Sequence, residues 1–329
     1  MKSSNKILVV GALMSFSLVC FAQNRYNVTD LGTLGGNTYA NAINSRGDVA
    51  GNSATADGND HAFLWTAAGG MQDLGTLGGL VSTATALNDS DEIIGRATTI
   101  DGFFHNYFWF PSTGMMAFGN GGLVGVNSTG EVLGVGKGTD GQLHSFIWTA
   151  GNGKMDLGLA KGQKASEATS INDLGQVVGW TGNYGEVFFW SKETGNILIP
   201  GVSTLQSVDN QGAACGWVAY GGLYTYRAIL WSQSSGVTDI GTLTGGSNDF
   251  SQAYGLSDNG QVVGWSTKNG SGSYAFVYSK ASGMLDLNTL ENGNWILGLA
   301  YGINSSGQII AWGSAPGGTI AHSLLLTPQ

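Results

Sequence analysis

The chain has 329 residues, of which 42% are apolar, 11% are charged and 55 are glycine. Its apolar content excludes a disordered low-complexity protein, because such chains lack the apolar surface needed to fold. Acidic residues outnumber basic ones by 22 to 13, and the resulting net charge of −9 argues against nucleic acid and anionic membrane surfaces as partners. Abundant glycine with only four prolines is typical of short strands joined by tight turns.

The N-terminus has the features of a secretory signal peptide over residues 1–22. Lys2 and Lys6 precede an apolar run, and small residues stand where cleavage after Ala22 requires them. No later stretch of the sequence reaches the roughly 18 apolar residues of a membrane-spanning helix. We therefore expect an exported protein that does not insert into a membrane and that stays in a periplasm or leaves the cell.

A repeat of about 43 residues fills the rest of the chain. Its motif is written most fully as INDLGQVVGW, at Ile171–Trp180. Seven copies of this motif open with an apolar residue, at Ile43, Leu87, Val126, Ile171, Val208, Leu256 and Ile303. The spacing between copies runs from 37 to 48 residues, a range typical of propeller blades.

Each repeat contains four short strands, which we call a to d. In the first repeat they are the segment that enters the motif, the segment after its turn, HAFLW at His61–Trp65, and GMQDLG at Gly70–Gly75. We interpret the Asn and Asp of the motif as residues that supply the positive φ of a hairpin turn. Apolar residues occupy both strand faces, so each repeat needs a neighbour on either side.

The two chain ends complement each other. VTDLGTLGG at Val28–Gly36 matches strand d and the following crossover at Met71–Gly79, while the last repeat stops after strand c, in HSLLLTPQ. The N-terminal strand can thus supply the missing outer strand of the last repeat. The sequence predicts one domain over residues 23–329, an all-β, seven-bladed β-propeller whose last blade is closed by the N-terminal strand. We expect it to be a monomer.

These motifs together resemble the HAF-repeat family of bacterial extracellular repeat proteins. The resemblance rests on HAFLW at His61–Trp65, on DLGTLGG at Asp30–Gly36 and Asp73–Gly79, and on the INDLGQVVGW motif. Several copies depart from the pattern, such as EVFFW at Glu186–Trp190, which lacks the histidine. The resemblance implies export and a repeat-built fold, and it supplies no reaction, ligand or catalytic residue.

Four histidines begin strand c of four repeats, at His61, His105, His144 and His322. With strands about 4.8 Å apart, equivalent positions in adjacent blades would lie about 14 Å from each other, whereas zinc lies about 2 Å from its nitrogen ligands. We therefore interpret the histidines as residues that pack within the blades. We expect neither a metal nor a cofactor.

Aromatic residues gather at the end of strand b in the last four repeats. The candidate ligand-binding residues are Trp180, Trp217, Trp265 and Trp312, together with Tyr184 and Tyr224 in the loops that follow. Flat amphipathic rings on a rim can stack on sugars or anchor a protein partner. A tryptophan at a strand end can equally pack between blades, and this alternative remains open.

Catalysis has less support in the sequence. No serine elbow or HExxH motif is present, and only Asp249, Glu186 and Glu291 depart from the repeat pattern as candidate acids. A glycosidase needs two carboxylates about 5 to 9.5 Å apart. The sequence thus favours a secreted, non-catalytic binding module for an extracellular polysaccharide or a protein ligand. The alternative is an extracellular glycan-active hydrolase or lyase on the same scaffold.

Overall fold

The computed structural model describes residues 25–119, 121–182, 186–220, 225–318 and 321–329, so the predicted signal peptide lies outside the described residues. Within these ranges, 28 strands form seven four-stranded antiparallel sheets arranged as the blades of a ring. The helices in the same ranges include none that is long and apolar enough to cross a membrane. The predicted all-β, seven-bladed propeller is confirmed.

The first four blades take their strands in chain order, from the innermost to the outermost. Blade one contains β2 (Gly35–Ile43), β3 (Val49–Thr55), β4 (Asp60–Thr66) and β5 (Gly70–Asp73). Blade two contains β6 (Gly78–Leu87), β7 (Ile93–Thr99), β8 (Phe104–Phe110) and β9 (Gly114–Phe118). Blade three contains β10 (Gly122–Val126), β11 (Val132–Lys137), β12 (Leu143–Thr149) and β13 (Gly153–Asp156). Blade four contains β14 (Ser166–Ile171), β15 (Val177–Thr181), β16 (Val187–Ser191) and β17 (Gly195–Ile199).

The last three blades follow the same plan, with one exchange at the chain ends. Blade five contains β18 (Thr204–Val208), β19 (Ala214–Ala219), β20 (Tyr226–Ser232) and β21 (Gly236–Gly241). Blade six contains β22 (Ser251–Leu256), β23 (Val262–Lys268), β24 (Ser271–Ser279) and β25 (Gly283–Asp286), which a short 3-10 helix (Leu287–Thr289) follows. Blade seven contains β26 (Ile296–Ile303), β27 (Ile309–Ser314), β28 (Ala321–Pro328) and the N-terminal strand β1 (Tyr26–Asp30).

The N-terminal strand closes the ring as predicted. β1 pairs with β28 along its whole length, from Tyr26 opposite Pro328 to Asp30 opposite Leu324. The innermost strands contact one another around the ring, and β26 of blade seven contacts β2 of blade one. Closure therefore pairs the outer edge of β28, which would otherwise be left exposed.

The apolar core is divided into seven clusters, one at each interface between adjacent blades. At the interface of blades five and six, Cys215 and Ala228 pack against Ala253 and Phe276. Each blade is thus buried on both faces, which explains why its strands carry apolar residues on both sides.

Every innermost strand carries a β-bulge at the same place. The register skips one residue in each blade, namely Asn41, Thr85, Val124, Thr169, Gln206, Tyr254 and Tyr301. The glycine of strand b lies beside this bulge, and a Cβ atom on Gly216 would overlap the carbonyl oxygen of Thr204. Gly51, Gly95 and Gly264 face the same obstacle. In these four blades the glycine of the motif is therefore a steric requirement of the bulge, whereas blade seven, whose inner strand has a second irregularity, carries Ala311 at the equivalent position.

The turn between strands a and b corrects one detail of the sequence interpretation. The positive φ falls on a glycine in six blades and on Asp91 in blade two, whereas the Asn and Asp of the motif do not adopt it. The motif asparagine instead bonds to the next blade. Its side-chain amide donates to the main-chain carbonyl of the equivalent residue, as Asn88 does to Asn127 at 3.1 Å.

Candidate functional site

The two faces of the ring differ in the segments that form them. The turns from strand a to b lie on one face, which we call the turn face. The loops from strand b to c and the crossovers between blades lie on the other, which we call the crossover face. On the turn face, the repeated motif lines a central opening in which the carboxylates of Asp89, Asp173 and Asp258 accept hydrogen bonds from main-chain amides of the preceding blade. These contacts join the blades, and the motif is structural.

A connected series of aromatic rings runs from blade five to blade seven. The ring of Trp217, at the end of strand b in blade five, lies 6.5 Å from Tyr226 and 5.6 Å from Tyr254, centroid to centroid. Tyr254 lies 6.4 Å from Tyr301 in the next blade. We call these four residues the aromatic row. All four are half-buried, so packing fixes their positions while part of each ring remains accessible.

The bulges and one amide orient the inner end of the aromatic row. Tyr254 and Tyr301 are the bulge residues of blades six and seven, and a bulge re-aims the side chain that it carries. The Gln252 side-chain oxygen accepts hydrogen bonds from the Tyr254 hydroxyl at 3.1 Å and from the Trp265 indole at 3.0 Å. Burial raises the pKa of Tyr254 and of Tyr301, so both hydroxyls remain protonated at neutral pH.

A cavity of about 370 Å³ adjoins the outer end of the aromatic row and shares Tyr226 with it. Its aromatic lining is completed by Tyr220, which is 50% exposed, and by Phe250. Its polar lining includes Arg227 and Asp239 from blade five and Asp249 from the crossover to blade six. The cavity therefore combines flat apolar walls with charged hydrogen-bonding groups, the composition of many small-ligand sites.

Asp249 is a structural carboxylate in this cavity. It is buried and accepts hydrogen bonds from the Thr244 hydroxyl, from the Thr267 hydroxyl at 3.3 Å, and from the amides of Gly246 at 3.1 Å and Gly270 at 2.7 Å. The Thr244 hydrogen bond is the largest of the effects that hold the pKa of Asp249 below its ordinary value. A carboxylate with four donors is a poor general acid or base. It ties the crossover to the loop of blade six.

The other candidate acids do not join Asp249. Glu186 lies in blade four, where it accepts a hydrogen bond from Gln163 at 2.5 Å. Glu291 lies after the short helix that follows blade six and accepts the amide of Gly293 at 2.5 Å. Of the three carboxylates singled out in the sequence, Asp249 alone lines the cavity, so they do not form a catalytic pair with one another.

The predicted ligand-binding residues occupy different surroundings. Trp217 belongs to the aromatic row, and Trp265 bonds to Gln252 beside it. Trp180 and Trp312 are 39% and 37% exposed and lie outside the row. Tyr184 and Tyr224 lie outside the described residues. Sequence reasoning missed the row's inner members, Tyr254 and Tyr301, although the segment AYG stands directly before the motif in the last two repeats alone and marks them.

The histidines are also better explained by the structure. Three of them hydrogen-bond to an aspartate of strand d in the same blade, at 2.8 to 2.9 Å, in the pairs His61–Asp73, His144–Asp156 and His322–Asp30. The interpretation as packing residues overlooked these partners. His105 is exposed, and strand d of its blade carries Ala117 where the aspartate would stand. Within the described ranges, no group of three or more His, Cys, Asp or Glu residues is placed to hold a metal ion.

Comparison with solved structures identifies other propellers. The chain aligns with a structure named streptogramin B lyase at a TM-score of 0.52 and 12% identity, covering 93% of this chain and 98% of that one. It aligns with the β-propeller domain of the Trilobed protease from Pyrococcus furiosus at a TM-score of 0.58 and 10% identity, covering 88% of this chain and 95% of that one. It aligns with the WD40 repeats of RRP9 at a TM-score of 0.57 and 12% identity, covering 92% of this chain and 97% of that one. No family model and no curated protein matches the chain. At these identities the likeness shows the fold alone.

Proposed function

We propose that the protein is an exported, non-catalytic module that binds carbohydrate on its crossover face. The observation that carries the proposal is the aromatic row, in which Tyr226, Trp217, Tyr254 and Tyr301 follow one another in this order at centroid distances of 5.6 to 6.5 Å. Rings held at this spacing offer successive apolar contacts to the faces of an extended sugar chain.

The polar groups beside the row suit the same ligand. The Tyr254 hydroxyl, which donates to Gln252, can still accept a hydrogen bond through its oxygen, and the cavity adds Arg227 and Asp239. Sugars present apolar ring faces and hydroxyl edges, so a site for them needs aromatic surface together with fixed hydrogen-bonding groups. A binding role is favoured over hydrolysis because the buried carboxylate of the cavity, Asp249, is occupied by four donors.

The experiment is a glycan array probed with the mature chain, together with assays for sugar release on the same polysaccharides. We expect saturable binding to at least one polysaccharide and no release of products. Turnover without saturable binding would establish the alternative, a glycan-active hydrolase or lyase. Binding to no glycan would refute the proposal.

A further inference from the structure

The cavity of blade five contains a charged pair, Arg227 and Asp239. The equivalent residues of three other blades are hydrogen-bonded to each other, whereas these two are not, and we call them the open pair. At the start of strand c, His61, His144 and His322 each contact an aspartate of strand d at 2.8 to 2.9 Å. Arg227 and Asp239 occupy the equivalent positions of blade five, as the pairing of strands β20 and β21 shows. Across the described residues, no carboxylate lies within 4.0 Å of the Arg227 guanidinium.

Both members of this open pair retain hydrogen-bonding capacity toward the cavity. The guanidinium of Arg227 has five N–H donors, and it donates a long hydrogen bond of 3.5 Å to the carbonyl of Gly246. The Asp239 carboxylate accepts the amide of Gly241 at 2.7 Å through one oxygen. Because both residues line the same cavity of about 370 Å³, a group that both accepts and donates can bridge them.

The charge of the cavity decides between ligand classes. Two carboxylates, Asp239 and Asp249, face the single cation Arg227, and the whole chain has a net charge of −9. A ligand carboxylate or sulfate at Arg227 would therefore meet two negative side chains and a repulsive field. A pair of uncharged hydroxyls meets neither penalty, because one accepts from the guanidinium while the other donates to Asp239.

We propose that this cavity selects a neutral sugar residue with two adjacent hydroxyls, held between Arg227 and Asp239. The inference rests on the proposed function and adds to it the class of sugar that is recognised. Tyr220, Tyr226 and Phe250 provide the flat walls for the ring of that residue. The volume, near the lower end for small-ligand sites, suits one or two sugar rings.

The test compares neutral polysaccharides with polyuronates as ligands of the wild-type chain and of Arg227→Met and Asp239→Asn. We expect the wild type to bind a neutral polysaccharide and to bind polyuronates at least tenfold more weakly. Each substitution should weaken neutral binding by about tenfold, because each removes hydrogen bonds to a charged group. The double variant should lose little more than either single variant, since both residues hold the same sugar.

Asp73→Asn provides the matched control, because it changes the equivalent aspartate of blade one and should leave binding unaltered. Unchanged melting temperatures would show that the variants fold. Preference for polyuronates, or tighter binding by Asp239→Asn, would overturn the inference. So would unaltered binding by both cavity variants when Trp217→Ala still weakens it, a result that spares the proposed function. If no glycan binds the wild type, the proposed function fails and this inference fails with it.

Discussion

The side-chain amide of Asn304 donates a 2.9 Å hydrogen bond to the main-chain carbonyl oxygen of Asn44, which joins the last blade to the first. The same bond links four further pairs of adjacent blades, from blade one through to blade five. Blades five and six break the series as donors, because they carry Asp209 and Ser257 in place of asparagine. The asparagine of the motif therefore hydrogen-bonds one blade to the next.

Asn304→Asp should destabilise the fold by about 1 to 2 kcal/mol. The oxygen that accepts the amides of Ser306 and Gln308 is retained, whereas the donor to Asn44 is lost. The reciprocal change, Asp209→Asn, replaces a carboxylate whose pKa is raised by burial and should not destabilise. Chemical denaturation of both variants measures the difference, and equal destabilisation by the two would contradict the role of the donor.

Removal of the side chain of Tyr26 should show how much the closing strand β1 contributes to the stability of the fold. Tyr26 is 2% exposed and packs in the core between blades six and seven. Tyr26→Ala should lower the free energy of unfolding by about 3 kcal/mol, the usual cost of deleting a buried aromatic ring. Thr29→Ala, an exposed position of the same strand, should change it by less than about 0.5 kcal/mol. Comparable effects at both positions would argue against this account of closure.

Gly216, the strand b glycine of blade five, should tolerate no side chain. Gly216→Ala places a methyl group on the carbonyl oxygen of Thr204, and we expect a loss of about 3 kcal/mol through displacement of the bulge. Gly151→Ala is the control, because no atom lies within 4 Å of the added methyl group. Thermal melts of the two variants provide the measurement. A Gly216→Ala protein as stable as the wild type would show that the bulge can shift at little cost in folding free energy.

Repetition made the architecture predictable. Seven copies of the motif and the match between Val28–Gly36 and Met71–Gly79 determined the number of blades and the closing strand. The bulge of each inner strand could not be foreseen, because it depends on backbone geometry across two strands. The glycine beside it was visible in the sequence without its reason. The motif asparagine was assigned a positive φ that it does not adopt, and its bond to the next blade was missed.

Acid should reduce the contribution of Asp249 to the free energy of unfolding. Its pKa is lowered in the folded state, so the ionised group stabilises the protein at pH values above the ordinary Asp pKa of about 3.9. Asp249→Asn should cost about 2 kcal/mol at pH 7. The difference between wild type and variant should shrink as the pH falls from about 3.9 through the lowered value. Urea denaturation across this range measures it, and a difference that grows in acid would reverse the assignment.

The candidate site was predictable only in part, since the four tryptophans at the end of strand b are equivalent in the sequence and not in space. Trp217 meets Tyr254 of the next blade, whereas Trp180 lies opposite Glu167 and remains exposed. What distinguishes them is the side chain at the neighbouring bulge, which is an aromatic ring in blades six and seven alone. Contacts between blades decide the outcome, and they join residues about 40 positions apart in the chain.

The most direct test of the account is the dissociation constant of the glycan identified on the array, measured by calorimetry for Trp217→Ala and Trp180→Ala. We expect Trp217→Ala to weaken binding by about tenfold, the effect of removing about 1.4 kcal/mol of ring contact. Trp180→Ala, at the equivalent position of blade four and outside the aromatic row, should bind as the wild type does. Equal losses in the two variants, or no loss in Trp217→Ala, would contradict the aromatic row as the binding site.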